Sequence, residues 1–183
     1  SRPSPSFTTD PFLCVDVDHD PAGSAAGSWS TSTHRNGSVV KLGLGLDVWS
    51  EPRVDLPLCR VLLAERLGFD SVWTAEIYGA DAVTPLAFLA AHTRYLRLGS
   101  AVAQVPARPP TTTAMQFGTL DGLAPGRVVC GLGLSGPRVA EGWYGQPWGH
   151  PNERLRDYVA IVRQVFRREG PVAHDGSELA LPY

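Results

Sequence analysis

From Val39 onward, apolar and polar residues fall into blocks, each with the period of one element type. Short continuous apolar runs read as strands covered on both faces, and apolar residues three and four apart read as helices. Val39–Leu46 is the first expected strand. Leu58, Val61, Leu62 and Leu67 follow a helical period, with Asp55 as the expected N-cap and Pro57 in the first turn. Gly68 is placed to end that helix, and Phe69 to close the hydrophobic contact beyond it. Asp70–Thr74 is the second strand. Thr84 is the expected cap of a second helix with Pro85 in its first turn, and Phe88 and Leu89 point inward. Arg97–Val102 is the third strand. Pro109 and Pro110 open a helix that runs to about Leu120, and Gly122, Pro125 and Gly126 break it. Arg127–Gly131 is the fourth strand. A last helix starts near Asn152, with an apolar stripe of Leu155, Tyr158, Val159, Val162, Val165 and Phe166. Pro171–Pro182 reads as two short strands about Asp175-Gly176.

Strand and helix thus alternate four times before a hairpin. Short connections and right-handed crossovers turn that pattern into a parallel sheet with helices outside. A doubly wound sheet and a (β/α)₈ barrel both use this unit. Half a barrel leaves two open sheet edges and a bare inner face. The pattern therefore fits either a complete open sheet or a barrel whose second half is missing.

Residues 1–38 differ in composition. They are rich in Ser, Thr, Pro and Gly, and only Phe12–Val17 is apolar enough for a brief strand. The rest is expected to be a disordered leader, since few side chains could offset its ordering entropy. Val15–Asp20 gathers Asp16, Asp18, His19 and Asp20, but without the glycine and glutamate spacing of a calcium loop, and no metal site is assigned. The start at Ser1 and the stop at Tyr183 both read as cuts in a longer chain.

The chain has 183 residues and a formal net charge of −2, so no global charge argument favours nucleic acid. Cys14, Cys59 and Cys130 form no ligand pattern and no disulfide framework, and Cys59 and Cys130 are expected as buried thiols. A cytoplasmic setting is the simplest fit to that usage. No apolar run approaches the roughly 20 residues of a membrane span.

Chemistry in parallel α/β folds collects beyond the C-terminal ends of the strands. Those ends carry Asp47 and Trp49; Glu76 and Tyr78; Ser100, Ala101 and Gln104; and Ser135 and Pro137, with Glu141, Trp143, Tyr144 and Trp148 on the long fourth loop. There is no phosphate-loop motif and no dinucleotide fingerprint after the first strand. GLGLSG at 131–136 is only a weak phosphate-loop signal, because it leads into a long irregular loop. An aromatic-rich lining with few ionisable groups suits a large planar cofactor. Glu76 is the most informative acid, and fits proton exchange and loop capping equally. His92 and His150 sit at helix ends and read as helix-terminus residues.

Three long segments in fixed order carry a resemblance. They are GFDSVWTAEIYGADAVTPLAFLAAHT, the stretch from RLGSAVAQVPARPP through GRVVCGLGLSGPRVAEGWYGQPWG, and RLRDYVAIVRQVFRREGPVAHDG. From about Val40 to Tyr183 the chain resembles the luciferase-like monooxygenase superfamily, and within it the branch that uses the deazaflavin coenzyme F420. The resemblance implies a (β/α)₈ barrel with the coenzyme ring over the strand ends, of which residues 39–183 would be the N-terminal half. It implies hydride transfer between F420 and an organic substrate. The alternatives it leaves are an FMN-dependent monooxygenase and an inactive truncated product. It makes Glu76 the catalytic candidate beside the ring, with Ser100, Ala101 and Val102 beneath it and a cis peptide at Ala101–Val102. Ser135, Gly136, Pro137 and Val139 would flank the cofactor, Asp47 and Trp49 would border the substrate, and Trp143 and Tyr144 would shape the pocket. The implied partner is a small organic molecule, neither nucleic acid nor membrane, with room for a homodimer in the full-length form.

Overall fold

A computed structural model describes residues 12–16, 40–46 and 54–182. In chain order the elements are β1 (Phe12–Asp16), β2 (Gly43–Gly45), α1 (Leu58–Arg66), β3 (Ser71–Thr74), α2 (Val83–His92), β4 (Arg97–Ser100), β5 (Ala103–Gln104), a 3₁₀ turn (Val105–Ala107), α3 (Pro110–Leu123), β6 (Val128–Gly133), α4 (Pro137–Ala140), α5 (Pro151–Arg167) and the hairpin β7 (His174–Asp175) and β8 (Ala180–Leu181).

The sheet runs β1-β6-β4-β3-β2, with the short β5 also paired to β6. β2 to β6 are parallel, and β1 alone is antiparallel. The parallel strands lie in sequence order with no reversal. A doubly wound sheet needs a point where the order reverses, so the fold is the first part of a barrel. Of the two edges expected to be open, one is occupied: β1 pairs along β6 from Phe12↔Gly133 to Asp16↔Val129. At the other edge, β2 pairs only with β3 among the described residues.

The two faces of the sheet divide the apolar residues. Val72, Leu98, Val128, Cys130 and Leu132 face the helices and pack with Leu86, Leu89, Phe117, Leu120, Tyr158 and Val162. The alternate positions form the inner face, and glycine dominates them. A Cβ on Gly43 would stand 2.8 Å from Nε1 of Trp73, and one on Gly99 would stand 2.3 Å from its ring. The Trp73 indole thus lies across two strands that have no side chains there, and its Nε1 donates to Ser71 Oγ at 2.9 Å. It is a packing residue. At the opposite ends of the strands, Glu65 Oε1 accepts from the backbone N–H groups of Arg94, Tyr95 and Leu96 at 2.8, 2.7 and 3.1 Å. That carboxylate ties α1 to the turn before β4.

Several local expectations change. The first strand shortens to Gly43–Gly45, which has one pairing partner. Pro57, not Asp55, holds the N-cap of α1, and its carbonyl starts the helix by accepting from Arg60 and Val61. Asp81, not Thr84, caps α2: its Oδ1 accepts from Val83 N and Thr84 N, both at 2.8 Å. Burial raises the Asp81 carboxyl pKa, but these hydrogen bonds and Arg108 outweigh it and hold it below its ordinary value. Starting the helix at Val83 turns Phe88 outward, so it is exposed, stacked near His92. Leu67 and Cys59 are also exposed, because the buried stripe of α1 is Val61 and Ala64. Gly68 ends α1 at φ +81°, and Phe69 N–H reaches back to Ala64 O at 3.0 Å.

The hairpin is docked on α5. Its two strands pair His174↔Leu181 and Asp175↔Ala180, so the turn spans Gly176–Leu179 rather than Asp175-Gly176 alone. Asp157 of α5 takes the place of a turn partner. Its Oδ2 accepts from Glu178 N at 2.8 Å and Leu179 N at 3.0 Å, and its Oδ1 lies 3.0 Å from His174 Nε2.

Candidate functional site at the barrel mouth

Each loop beyond a strand end contributes one layer to the mouth. The loop after β3 supplies Glu76, which is 8% exposed. Its Oε2 accepts from Gln104 N at 2.8 Å, its Oε1 pairs with Arg108 Nη2, and its main-chain oxygen accepts from Gln104 Nε2. Arg108 stands between the 3₁₀ turn and the start of α3. Its carbonyl accepts from Tyr158 Oη at 3.0 Å, and Tyr158 also bonds Thr113. One residue therefore links the β3 loop, the α3 entry and α5. Burial pushes the Tyr158 phenol pKa far up, so it stays a neutral donor. Tyr144 is also raised, by burial first and then by the charge of Glu76, with Arg108 opposing.

Ser100 ends β4 fully buried. Its Oγ donates to Gly131 O at 2.7 Å and accepts from Gly131 N at 3.0 Å. This hydroxyl is spent on joining two strands where the ladder is interrupted. The Ala101–Val102 peptide bond is cis, as the resemblance implies. Ala101 is exposed and Val102 lies over Gly133, where a Cβ would come 2.3 Å from Val102 Cγ2.

Beyond β6, Ser135 is exposed at φ +63°. Pro137 opens a single helical turn, α4, where an irregular loop was expected. Gly136 is its N-cap, and Pro137 is exposed. Val139 is 7% exposed and its carbonyl accepts from Trp143 N and Tyr144 N, both at 3.1 Å, so it anchors the loop from within. Trp143 meets Tyr78 edge-on with ring centroids 5.4 Å apart. That contact connects the β3 and β6 loops across the mouth. Asp47 and Trp49 lie outside the described residues.

The fold thus brings Glu76, Gln104 and Arg108 into one buried polar cluster whose charges reach the half-buried Tyr144, with Tyr78 and Trp143 paired at the rim. Gln104 was placed among the strand-end residues by the sequence, but Arg108 received no role, although it is the only charged residue between β4 and α3. Gln104 Oε1 and Arg108 Nη1 are buried with no partner among the described residues. Beside the cluster lies a cavity of about 330 Å³ lined by Arg108, Thr111, Gln146, Arg154, Tyr158 and Leu181 among others. Arg154 Nε is likewise buried without a partner among the described residues.

A second polar group, His150, Glu153 and Glu178, offers ligand atoms within 4.8 Å of one another. Its contacts are those of an ion-pair network: His150 Nδ1 lies 2.8 Å and Arg154 Nη2 3.3 Å from the two Glu178 oxygens. The hydrogen bond between them raises His150 and lowers Glu178 from their ordinary pKa values. Among the described residues, no helix is long and apolar enough to cross a membrane.

Comparison with known proteins places this geometry. Residues 45–182 match the family model of the luciferase-like monooxygenases. The chain is 49% identical over 143 residues to the "Putative coenzyme F420-dependent oxidoreductase Rv3520c" of Mycobacterium tuberculosis, covering 78% of this chain and 41% of that protein. The monooxygenase RslO1 of Streptomyces bottropensis superposes with a TM-score of 0.63 at 25% identity, covering 77% of this chain and 47% of that one. The oxygenating constituent of 3,6-diketocamphane monooxygenase from Pseudomonas putida, solved with FMN, shares the fold with a TM-score of 0.63 at 19% identity, over 76% of this chain and 42% of that one. The chain therefore spans less than half the length of these relatives. It belongs to the luciferase-like monooxygenase family, as the N-terminal part of the barrel.

Proposed function

We propose that this chain is the N-terminal half of an F420-dependent oxidoreductase, in which residues 1–38 are a leader and residues 39–183 a partial barrel domain. The observation that carries the reading is the 49% identity over 143 residues to the mycobacterial putative F420-dependent oxidoreductase. The mouth also fits a planar heterocycle. Tyr78 and Trp143 supply flat apolar area, and Gln104 Oε1 and Arg108 Nη1 are buried polar atoms without a partner among the described residues.

F420, when bound, supplies two-electron hydride exchange with an organic substrate. The residues of this chain would position it. Ala101 and Val102 form the surface beneath the ring, and Ser100 holds that surface by bridging β4 to β6. Ser135, Gly136 and Pro137 form the flank. Val139 acts indirectly, by fixing the loop that carries Trp143 and Tyr144. Glu76 holds Arg108 and Gln104 in place while keeping a carboxylate at the mouth. Asp47 and Trp49 would border the substrate. In this reading the cavity beside Arg108 and Arg154 takes an anionic portion of the coenzyme, since both residues carry buried donors with no partner among the described residues.

The test extends residue 182 with the remaining sequence of the mycobacterial relative and titrates the chimera with F420 and with FMN, following fluorescence. Saturable F420 binding with little FMN binding supports the proposal. Tight FMN binding without F420 binding would replace it with the monooxygenase reading, which the fold shared with the FMN complex keeps open. A folded chimera that binds neither would mark an inactive product.

A further inference from the structure

The edge of β6 is the place where a barrel continues. Its inner neighbours are β4, through Leu98↔Val128 and Gly99↔Val129, and β5, through Ala103↔Leu132 and Gln104↔Gly133. A right-handed crossover through α5 delivers the next parallel strand to the opposite edge. In this structure that edge is taken. β1 pairs with it antiparallel over five positions, from Phe12↔Gly133 through Val15↔Cys130 to Asp16↔Val129.

One backbone edge can carry one ladder, because each outward N–H and C=O of β6 has one in-plane partner. We infer that Phe12–Asp16 is a displaceable edge strand, and that its pairing and the docking of a next barrel strand on β6 are mutually exclusive. The occupant that displaces it is a parallel strand from the rest of a barrel. While β1 is in place it covers hydrogen-bonding groups that would otherwise template association between copies. Its orientation favours exchange: it enters from outside the run of strand and helix units, so leaving breaks no crossover. The inference goes beyond the cofactor reading and does not depend on which cofactor binds.

Cross-linking tests the exclusion directly. Val15 stands opposite Cys130 in the register, which puts their Cα atoms about 4.5–5.5 Å apart. A Val15→Cys variant with Cys14→Ser and Cys59→Ser leaves one thiol on each strand. In the 183-residue chain, dibromobimane should link Cys130 to the new thiol, at least tenfold faster than in the chain extended with the relative's remaining barrel. Equal rates in the two chains, or no link in the shorter one, would overturn the exclusion. A second measurement covers an extension that does not fold. Leu13→Pro with Cys14→Pro in the 183-residue chain removes the N–H facing β6 whichever of the two faces it. Amide exchange over Val129–Gly133 should then accelerate at least tenfold while α5 stays protected, with larger species in light scattering. Unchanged protection with unchanged mass would reject β1 as the cover of that edge.

Discussion

Glu76 and Arg108 form an ion pair with 6% and 11% of their side chains exposed, which makes their coupling measurable. Changing Arg108 to Met leaves the Glu76 carboxylate buried, with the Gln104 N–H as its remaining hydrogen-bond donor among the described residues. Changing Glu76 to Gln leaves a buried guanidinium without its ion-pair partner, with the charge of Asp81 acting only at longer range. Removing one member of a buried pair typically costs about 3–5 kcal/mol, whereas removing both and leaving neutral groups costs far less. Each single variant is therefore expected to lose about 3 kcal/mol, and the double variant Glu76→Gln/Arg108→Met well under that rather than the sum. With a urea slope of about 2 kcal/mol/M, each single shifts the unfolding midpoint down by roughly 1.5 M. Urea titrations followed by far-UV circular dichroism give all four corners of the cycle. The carboxylate then has a stabilising role besides any part in turnover, so Glu76→Gln should lower stability and F420 affinity together. Additivity of the two singles within about 0.5 kcal/mol would refute a desolvated pair.

Two glycines of opposite environment should respond with opposite sign. Gly131→Ala places a Cβ 1.9 Å from Ser100 O, a backbone atom, and should cost about 3 kcal/mol or more in thermal or urea unfolding; Gly122→Ala in α3 meets nothing within 4 Å and should stabilise by about 0.5–1 kcal/mol. Hairpin docking should depend on pH from both sides. For Asp157, burial raises the pKa but the Glu178, His174 and Leu179 hydrogen bonds win and lower it below 3.8, so its contribution is present above that value and lost as pH falls through the folded pKa. His150 is raised above 6.5, so its contribution is present below that value and lost as pH rises through the folded pKa. Amide exchange at Glu178 and Leu179, corrected for intrinsic rates, should be slowest between the two limits, and Asp157→Asn should flatten the acid side. A flat profile in the parent chain would contradict this. Trp73→Ala empties the space over Gly43 and Gly99 and should cost about 3 kcal/mol, whereas Trp73→Phe should cost less, as read from unfolding midpoints.

Periodicity located β2, β3, β4, β6 and the helices α1, α2, α3 and α5, because a buried parallel strand and an amphipathic helix leave different spacings in the chain; the two-residue β5 and the single turn of α4 are too short to leave one. Caps were less legible. Asp81 and Thr84 are both suitable N-cap residues, and only the helix phase decides between them; the same phase sets Leu89 inside and Phe88 outside. Glu76 was visible because it follows a strand directly, yet its partner Arg108 stands 32 residues later and shares no pattern with it. Tyr158 was legible as part of the α5 stripe, but not as the group that holds Arg108 by its carbonyl.

By itself, the sequence determined the order of strand and helix units, the glycine-rich strand ends and the family membership that the match over residues 45–182 makes plain. These follow from local spacing and residue type, which act over a few positions of chain. The tertiary structure decided what depends on positions far apart in sequence. It turned an arrangement that could have been an open sheet into the start of a barrel, by laying the strands in sequence order. It joined Glu76, Gln104 and Arg108 into one buried cluster, and it set β1 against β6 from more than a hundred residues away. Hydrogen bonds and ion pairs between distant segments leave no period in the chain, because each partner alone is only a polar residue in a loop or an apolar residue in a leader.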